Sequence, residues 1–214
     1  MENSFIFSHV DHTLLKAVAT WDEIKELCDE GIENNVASVC VPSSYVGRIK
    51  SEYGEKLKIC TVIGFPLGYD PKDIKKAAIS QAINDGADEV DVVVDLGDVK
   101  NCDFEKITKD ISEFKKEAGS HILKVIIETC YLTEAEIIEL CRCVTDGGAD
   151  YIKTSTGFGT RGASIEDIKL MKEHIGPKVK IKASGGIRTR DDMVMYLEAG
   201  CDRIGASSAV KALT

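Results

Sequence analysis

Four charged side chains interrupt segments of the sequence that otherwise have the apolar character of strands. They are Asp91 in EVDVVVD, Lys124 in ILKVIIET, Lys153 in YIKTS and Lys182 in KVKIKAS. Side chains alternate along a strand, so the apolar residues of each segment share one face and the charged residue lies on the other. Each charge alone is most simply a solvated edge residue or an ion-pair partner. Three ammonium groups confined with a carboxylate would perturb one another strongly, and together they indicate a functional site.

A glycine-rich loop, GFGTRG, follows the segment that contains Lys153. Its glycines, Gly157, Gly159 and Gly162, have the spacing G-x-G-x-x-G. This spacing indicates dinucleotide binding only when a helix opens inside the loop and an acidic residue ends the next strand. Here the next helical pattern begins near Ser164, after the loop, and the next strand ends in Lys-Ala-Ser. The loop is therefore not expected to bind a dinucleotide, and no cofactor is predicted.

Two further loops, ASGGIRT and IGASSAV, have the composition of an anion site. Adjacent glycines let backbone N–H groups approach an anion, and a serine pair at the start of a short terminal helix offers hydroxyl and N–H donors. Ordinary turn glycines and an N-cap serine are the alternative. Because these loops follow the last two strands, the usual phosphate position of a barrel, phosphate binding is favoured. The residues concerned are Gly185, Gly186, Ser207 and Ser208.

Short apolar segments alternate with longer segments of helical periodicity along the whole chain. The expected strands fall at 7–12, 37–41, 58–65, 89–95, 122–129, 151–155, 178–184 and 202–207. Strands that alternate with helices pair in parallel, and eight such units favour a closed (β/α)8 TIM barrel over an open doubly wound sheet. In such a barrel the charged faces point inward. With no linker or composition break, residues 1–214 are expected to form one α/β catalytic domain.

Local signals place several helix ends. Thr20 and Glu23 have the spacing of a capping box, and Asp70 followed by Pro71 suggests a cap with proline at the first helical position. The related segments DGADEVDVV, DGGADYIKT and EAGCDRIGA each join a helix end to a strand through glycine. A residue past a helix end commonly adopts the left-handed conformation, which glycine tolerates. The glycines expected there are Gly86, Gly147 or Gly148, and Gly200.

Composition restricts the classes of partner and compartment. The net charge of -9 argues against a nucleic-acid surface or an anionic-membrane surface, each of which needs a basic face. No segment approaches the ~18 apolar residues of a membrane span, and the N-terminus lacks the pattern of a signal peptide. Eight cysteines with no C-x-x-C pair, and four scattered histidines, predict reduced thiols in the cytoplasm and no metal site.

The same motifs resemble the deoxyribose-phosphate aldolase family of class I aldolases. The resemblance runs from Asp11 to about Ser208 and rests on DHTLL, GADEVDVVVDLG, LKVIIETCYLT, ADYIKTSTGFGTRGAS and KIKASGGIRT. It implies a (β/α)8 lyase that reversibly cleaves 2-deoxy-D-ribose 5-phosphate to D-glyceraldehyde 3-phosphate and acetaldehyde, in deoxyribose phosphate catabolism. It also implies that neither metal nor cofactor is needed, that the small-molecule partner is a phosphosugar, and that the protein is a homodimer or higher homo-oligomer.

The resemblance also implies roles for individual residues. Lys153 matches the Schiff-base lysine, Lys182 the second catalytic lysine and Asp91 the aspartate of the proton relay. Some members of the family carry a basic residue where this chain has Phe158, and Arg161 lies three residues further on. The implied substrate-binding residues are Asp11, Cys40, Lys124 and Thr154, together with Gly157, Gly185, Gly186, Ser207 and Ser208 in the phosphate loops.

The implied chemistry needs an electron sink, because a carbon–carbon bond must break. A protonated imine supplies it without metal. Lys153 must be neutral to attack the sugar aldehyde, and a barrel of low polarity and the charge of Lys182 are expected to favour the neutral amine. Asp91 with Lys182 would move protons during imine formation and cleavage. Two alternatives remain: a different lysine aldolase or transaldolase acting on a ketose phosphate, and a non-catalytic regulator that binds a phosphosugar.

Overall fold

Five helices of this chain begin where a side chain accepts a hydrogen bond from an N–H group of the first turn. The computed structural model, which describes all residues from Met1 to Thr214, contains the expected capping box of Thr20 and Glu23. The predicted cap at Asp70 is wrong. Pro71 has an extended ψ of 143° and itself occupies the N-cap position, so the helix begins one residue later, at Lys72. Asp70 is therefore too far from the first turn to cap it.

Strands and helices alternate along the chain. The strands are β1 (Val10–Thr13), β2 (Ser38–Val41), β3 (Ile59–Ile63), β4 (Glu89–Val93), β5 (Ile122–Ile126), β6 (Tyr151–Lys153), β7 (Lys180–Ser184) and β8 (Arg203–Ala206). The helices are α1 (Asn3–Phe7), α2 (Trp21–Glu33), α3 (Val46–Tyr53), α4 (Lys72–Asn84), α5 (Leu96–Lys100), α6 (Phe104–Ala118), α7 (Glu134–Asp146), α8 (Ile165–His174), α9 (Arg190–Glu198) and α10 (Ala209–Leu213). None of these helices is both long and apolar enough to cross a membrane.

The eight strands form a closed parallel barrel in chain order. Each strand pairs with the next, and β8 pairs with β1. The predicted (β/α)8 barrel is therefore confirmed. Its register places Asp91 opposite Lys124 and Lys153 opposite Lys182 on neighbouring strands. Residues in register on adjacent strands have side chains on the same face, so the pairing brings these charges together.

Two short helices were not predicted. Helix α1 stands where the first strand was expected to begin, and β1 starts only at Val10. Helix α5 lies between β4 and α6 and is capped by the side chain of Asp95. Each has five residues, which is too short to show a helical repeat of apolar positions.

The glycines past the helix ends behave as the repeat suggested. Gly86, Gly148 and Gly200 have φ values of 105°, 76° and 106°. Gly147 instead keeps a right-handed conformation as the C-cap of α7. A side chain at the three positive-φ positions would strain the backbone, so the glycines let each helix turn directly into the following strand.

The hydrophobic core lies between the barrel and its helices. Val90, Val125 and Ile152 are buried there with apolar side chains of the surrounding helices. Their neighbours in the strands, including Asp91, Lys124 and Lys153, lie on the opposite face, inside the barrel. The outer core therefore carries most of the apolar burial, which leaves the interior available for polar groups.

Replacing Leu140 by alanine tests this outer core. Leu140 lies on α7 and is completely buried in the hydrophobic cluster. Leu140→Ala is expected to lower the free energy of unfolding by about 2–5 kcal/mol, because it removes apolar contacts and leaves a cavity. Urea denaturation measures the change. Val18→Ala, at a residue that is 81% exposed, is the control and should change stability by less than about 0.5 kcal/mol. A loss at Leu140 no larger than that would contradict the assignment.

Candidate active site

Seven ionisable side chains fill the barrel interior, and none of these residues is more than 8% exposed. They come from six strands, because each strand turns every second residue inward. Charges buried in this way are tolerated only when they are paired and hydrogen-bonded. We call this set the interior charge cluster, and its members are Asp11, Glu89, Asp91, Lys124, Lys153, Lys182 and Arg203.

Asp91 is the centre of the interior charge cluster. Its Oδ2 accepts hydrogen bonds from Lys153 Nζ at 2.8 Å and from Lys182 Nζ at 2.7 Å. Its Oδ1 accepts one from Lys124 Nζ at 2.7 Å. Burial would raise the pKa of Asp91, but the charges of the three lysines outweigh burial and hold its pKa well below the usual range. Asp91 is therefore held as a carboxylate in contact with three amines.

Asp11 is the second carboxylate of the interior charge cluster. It binds Lys182 and Arg203, and Ser38 Oγ donates to it at 2.7 Å. Lys124 Nζ lies 3.5 Å away. Burial alone would raise the pKa of Asp11, yet these cations lower it. The predicted residues Asp11 and Lys124 thus belong to the same ion-pair network as Asp91.

Sequence reasoning missed Glu89 and Arg203. Glu89 lies 2.5 Å from Lys124 Nζ and 3.2 Å from Arg203 Nη1. Glu89 stands two residues before Asp91 in the same strand, so strand alternation alone could have found it. Arg203 lies at the N-terminal end of β8. Its inward direction depends on the first strand residue, a boundary that sequence patterns place poorly.

Lys182 and Lys124 are held as cations. Burial lowers the pKa of each amine, but the carboxylates of Asp11 and Asp91 outweigh burial and raise both pKa values above the usual range. Lys153 differs in its contacts, since its Nζ has a single carboxylate partner, Asp91. The cluster therefore contains two amines in strong ion-pair networks and one with a single shared contact.

A cavity of about 290 Å³ opens at the C-terminal ends of the strands. Lys153 is the only member of the interior charge cluster that lines it. Active sites of barrel enzymes lie at this end. Lys153 therefore links the cavity, which it lines, to Asp91, which its amine contacts, and Lys182 binds the same oxygen of Asp91.

Two thiols lie beside Asp91. Cys40 and Cys60 are opposite each other on β2 and β3, and Cys60 Sγ is 3.2 Å from Asp91 Oδ1. A hydrogen bond from Cys60 lowers the pKa of Cys40 against the opposing effect of burial, whereas burial raises the pKa of Cys60. Neither thiol lines the cavity. Cys40, which was expected in the substrate site, is placed within the wall of the interior.

Three loop segments line the cavity through glycine and serine residues. The predicted glycines Gly157, Gly185 and Gly186 line it, and all three have positive φ values between 78° and 89°. Ser207 also lines the cavity, but Ser208 does not, since its Oγ donates to the carbonyl of Arg188 at 3.1 Å. Backbone groups of glycine loops can approach an anion closely. The cavity is thus lined both by Lys153 and by an anion-type cradle of glycine loops.

The loops of this cradle contact each other through backbone atoms. A Cβ on Gly162 would lie 2.0 Å from the carbonyl oxygen of Gly185. The N–H of Ala163 donates to the carbonyls of Ser184 and Gly185 at 3.0 and 3.2 Å. The third glycine of the G-x-G-x-x-G spacing therefore permits close packing of two loops.

Thr154 and Arg161, two polar residues near the loop that follows Lys153, make contacts outside the cavity lining. The buried hydroxyl of Thr154 accepts from the N–H of Ser184 at 3.1 Å, which joins β6 to β7 and places Thr154 outside the cavity lining. Arg161 pairs with Asp167 at 2.5 Å. The cations that do line the cavity are Lys16 and Arg188, which the sequence analysis did not identify.

The loop that follows Lys153 is held from the end of β5. Glu128, in a left-handed conformation with φ of 52°, accepts hydrogen bonds from the N–H and hydroxyl of Thr156. The hydroxyl of Thr156 in turn accepts from the N–H of Phe158 at 3.0 Å. The φ of Glu128 is uncommon for a non-glycine residue, and the conformation turns its carboxylate toward the loop.

The pKa shift of Asp11 predicts how stability depends on pH. An unfolded aspartate titrates near ~3.9, and the folded pKa of Asp11 is lower. Its stabilising contribution is thus present above about pH 4 and is lost as pH falls below that value. Urea denaturation across this range should show the decline.

The variant Asp11→Asn isolates that contribution. It is expected to cost about 3–5 kcal/mol near neutral pH, because buried cations lose a partner, and to show a shallower decline in acid. Glu52→Gln, at an exposed position on α3, is the control and should keep the wild-type pH dependence. Parallel curves for Asp11→Asn and the wild type would contradict the role of Asp11.

Comparisons with known proteins agree with this geometry. The sequence matches the model of the DeoC/LacD family aldolases over residues 5–210. It is 59% identical over 210 residues to a deoxyribose-phosphate aldolase of Clostridium botulinum, covering 98% of this chain and 95% of that protein. It is 56% identical over 208 residues to one of Clostridioides difficile, covering 97% and 95%.

A solved structure gives the same result. The deoxyribose phosphate aldolase of Aeropyrum pernix, described as a unique tetramer, superposes with a TM-score of 0.90 at 31% identity and covers 99% of this chain and 91% of its own. The sequence matches extend over nearly the whole length of the chain, and the barrel superposes over the same extent. This chain belongs to the DeoC/LacD aldolase family.

Proposed function

We propose that the protein catalyses the reversible cleavage of 2-deoxy-D-ribose 5-phosphate to D-glyceraldehyde 3-phosphate and acetaldehyde through an imine on Lys153. One observation carries the proposal: Lys153 is the one member of the interior charge cluster that lines the cavity, and its amine contacts Asp91, whose same oxygen binds Lys182. The names of the curated relatives give the substrate. A lysine amine held beside a carboxylate and a second amine is typical of enzymes that use a lysine nucleophile, among which are the aldolases.

The reaction begins when the Lys153 amine adds to the aldehyde carbon, C1, of the open-chain sugar. The carbinolamine loses water to give an imine, and Lys182, held as an ammonium, is placed to supply a proton to the departing hydroxyl. The carboxylate of Asp91 bridges the two amines and returns protons between them. General acid–base catalysis of this kind requires groups within hydrogen-bond reach, which these distances satisfy.

Carbon–carbon cleavage follows from the imine. A base removes the proton of the C3 hydroxyl, the C2–C3 bond breaks, and its electron pair flows to the protonated imine nitrogen. C3 leaves as the aldehyde of glyceraldehyde 3-phosphate, and an enamine of two carbons remains on Lys153. Protonation of that enamine and hydrolysis release acetaldehyde and the amine. The anionic Asp91 and the ammonium of Lys182 serve as the base and acid nearest to Lys153.

The glycine loops are proposed to hold the phosphate. Gly157, Gly185, Gly186 and Ser207 line the same cavity as Lys153, and Arg188 adds a positive charge. We propose Asp11, Lys124 and Cys40 as residues that support Asp91 and Lys182 from below, since all three are buried in the barrel wall. Thr154 and Ser208 support the loops through hydrogen bonds between their hydroxyls and backbone groups. Binding energy at the phosphate would orient the reacting end.

The two alternative functions are separated from the proposal in different ways. A ketose-phosphate aldolase or transaldolase would also use Lys153, and the identity of the aldehyde product separates it from the proposal. A non-catalytic phosphosugar-binding regulator needs the glycine cradle but has no use for an amine that contacts a carboxylate shared with a second amine. Such buried charge is costly when it serves only structure.

We further propose that the protein forms a homodimer or higher homo-oligomer in the cytoplasm and acts as a single catalytic domain over residues 1–214. The related aldolase of Aeropyrum pernix is described as a tetramer. Leu67, Tyr69 and Ile74 are exposed apolar side chains close together in the chain, and apolar surface of this kind often contacts another subunit. All eight cysteines are free, which agrees with a reducing compartment.

Reductive trapping tests the imine. Borohydride added with 2-deoxy-D-ribose 5-phosphate should attach a covalent adduct to the peptide that contains Lys153, because borohydride reduces an imine to a stable amine. Mass spectrometry of the digested protein locates the adduct. An unmodified Lys153 peptide under turnover conditions would rule out the imine.

The variant Lys153→Leu should abolish turnover, a loss of at least about 10³-fold, with the circular dichroism spectrum unchanged. Lys178→Leu, at an exposed position before β7, is the matched control and should retain both activity and trapping. Appreciable turnover by Lys153→Leu would assign the nucleophile to another residue.

Replacing Gly162 by alanine tests whether the glycine loops bind the phosphate. A methyl group there would meet the Gly185 carbonyl at 2.0 Å, and backbone cannot move aside cheaply. Gly162→Ala should therefore displace the cradle and raise the KM for 2-deoxy-D-ribose 5-phosphate about tenfold or more. Reductive trapping of acetaldehyde at Lys153 should persist, since acetaldehyde has no phosphate. Gly47→Ala, where the nearest atom is 3.8 Å away, is the control, and an unchanged KM in Gly162→Ala would contradict the assignment.

A further inference from the structure

The interior charge cluster contains more cations than anions. Its basic members are Lys124, Lys153, Lys182 and Arg203, and its acidic members are Asp11, Glu89 and Asp91. With every group ionised, four positive charges would face three negative charges and leave one positive charge uncompensated. An uncompensated charge in a water-poor interior is costly, and proteins relieve it by changing a protonation state. Loss of the proton from one of the four basic groups would therefore remove this cost.

The contacts identify which group that is. Arg203 contacts both Asp11 and Glu89, and a guanidinium does not deprotonate in proteins. Lys124 has three carboxylates within 3.5 Å, namely Asp11, Glu89 and Asp91.

Lys182 has two carboxylate partners, Asp11 and Asp91. Lys153 has one, and it shares the same Oδ2 of Asp91 with Lys182. Its amine is thus the least stabilised as a cation.

Arg203 and Glu89 affect this balance without contacting Lys153. Arg203 occupies the N-terminal end of β8, and its guanidinium lies 5.6 Å from the ring centre of Tyr151, which precedes Lys153 by two residues on the same inward face. Neither Arg203 nor Glu89 lines the cavity. Both act at a distance, where charges in a poorly screened interior still interact appreciably.

We propose that Arg203 and Glu89 are positioning residues that set the protonation state of Lys153 through the charge balance of the barrel interior. The inference rests on the proposed role of Lys153 as the imine-forming amine. Arg203 supplies the fourth positive charge that makes the neutral amine favourable. Glu89 limits that effect, since it cancels one positive charge and keeps Lys124 and Arg203 in place.

Groups from the other strands face the same interior. The charges are those of the cluster: Asp11 from β1, Glu89 and Asp91 from β4, Lys124 from β5, Lys182 from β7 and Arg203 from β8. The titratable groups outside the cluster are the thiols Cys40 and Cys60 from β2 and β3 and the phenol of Tyr151 from β6.

At the mouth, Lys16 and Arg188 are exposed, and Glu128 contacts Thr156 and Cys130 but no member of the cluster. These groups are identical in all the variants below, so their titration cancels from the comparison.

The test compares the pH dependence of kcat/KM, which reports the ionisations of the free enzyme and free substrate. Arg203→Met leaves three cations facing three carboxylates, so Lys153 keeps its proton more tightly. The acid limb should move to higher pH by about one unit. Glu89→Gln leaves four cations facing two carboxylates, and the acid limb should move to lower pH by a similar amount.

The double variant Arg203→Met/Glu89→Gln removes one charge of each sign. Its acid limb should return close to that of the wild type, and Arg203→Lys, which keeps the charge, should also leave the limb in place. Disruption of packing alone would lower activity in all the variants but would not move the limb in opposite directions. If Arg203→Met fails to fold, Glu89→Gln, with a limb at lower pH, and Arg203→Lys, with an unmoved limb, still test the inference.

A second readout follows the amine directly. The yield of borohydride-trapped acetaldehyde at Lys153, measured against pH, should shift in each variant in the same direction as kcat/KM. Limbs that stay within about 0.2 unit of the wild type in Glu89→Gln, or that move in the same direction in both single variants, would overturn the inference. Failure of the wild type to trap acetaldehyde at any pH would overturn the proposed function instead.

Discussion

The hydrogen bonds that three amines donate to one buried carboxylate, Asp91, organise this barrel. Charges in a water-poor interior interact strongly, so neither the carboxylate nor its partners can be removed singly without exposing an unpaired charge. The strands of Lys124, Lys153 and Lys182 are consecutive in the barrel and follow that of Asp91. The closed sheet is what holds them at fixed separation, since an open edge would allow water to enter and weaken each contact. The charge cluster therefore depends on the closed barrel.

A charged interior is possible here because the stability of the fold does not come from it. Apolar side chains such as Val90 and Ile152 pack outward against the helices, where burial of apolar surface contributes most of the favourable free energy. The inner face is left with groups that contribute little net stability because desolvation offsets their attraction. This division assigns structure to one face of each strand and reactivity to the other. It also explains why alternating strand residues, rather than continuous apolar strands, recur in this parallel sheet.

Much of this arrangement could be predicted from the sequence, because strand alternation is a local property. It placed Asp91, Lys153 and Lys182 on the inner face, and the repeated units indicated the barrel. Glu89 obeys the same alternation but was overlooked beside Asp91. The inward direction of Arg203 depends on a strand boundary, which a pattern does not define. The contacts of Arg161 with Asp167, and of Thr154 with Ser184, depend on how loops fold over the barrel mouth. Tertiary packing decides how these loops fold, and local sequence patterns carry no information about it.

The backbone contact of Gly162 with Gly185 has a further consequence for substrate length. The chain that leaves Lys153 turns over the barrel mouth through Thr156, which Glu128 holds, and returns against the β7 loop without intervening side chains. Under the proposed function, one short segment thus carries the imine-forming amine at one end and part of the phosphate cradle at the other. Peptide geometry fixes the span of this backbone segment, and the contact of Lys153 Nζ with Asp91 fixes where the lysine side chain ends. A phosphosugar one carbon shorter or longer could satisfy either end but not both, so chain length would be selected without any residue that contacts the middle of the sugar.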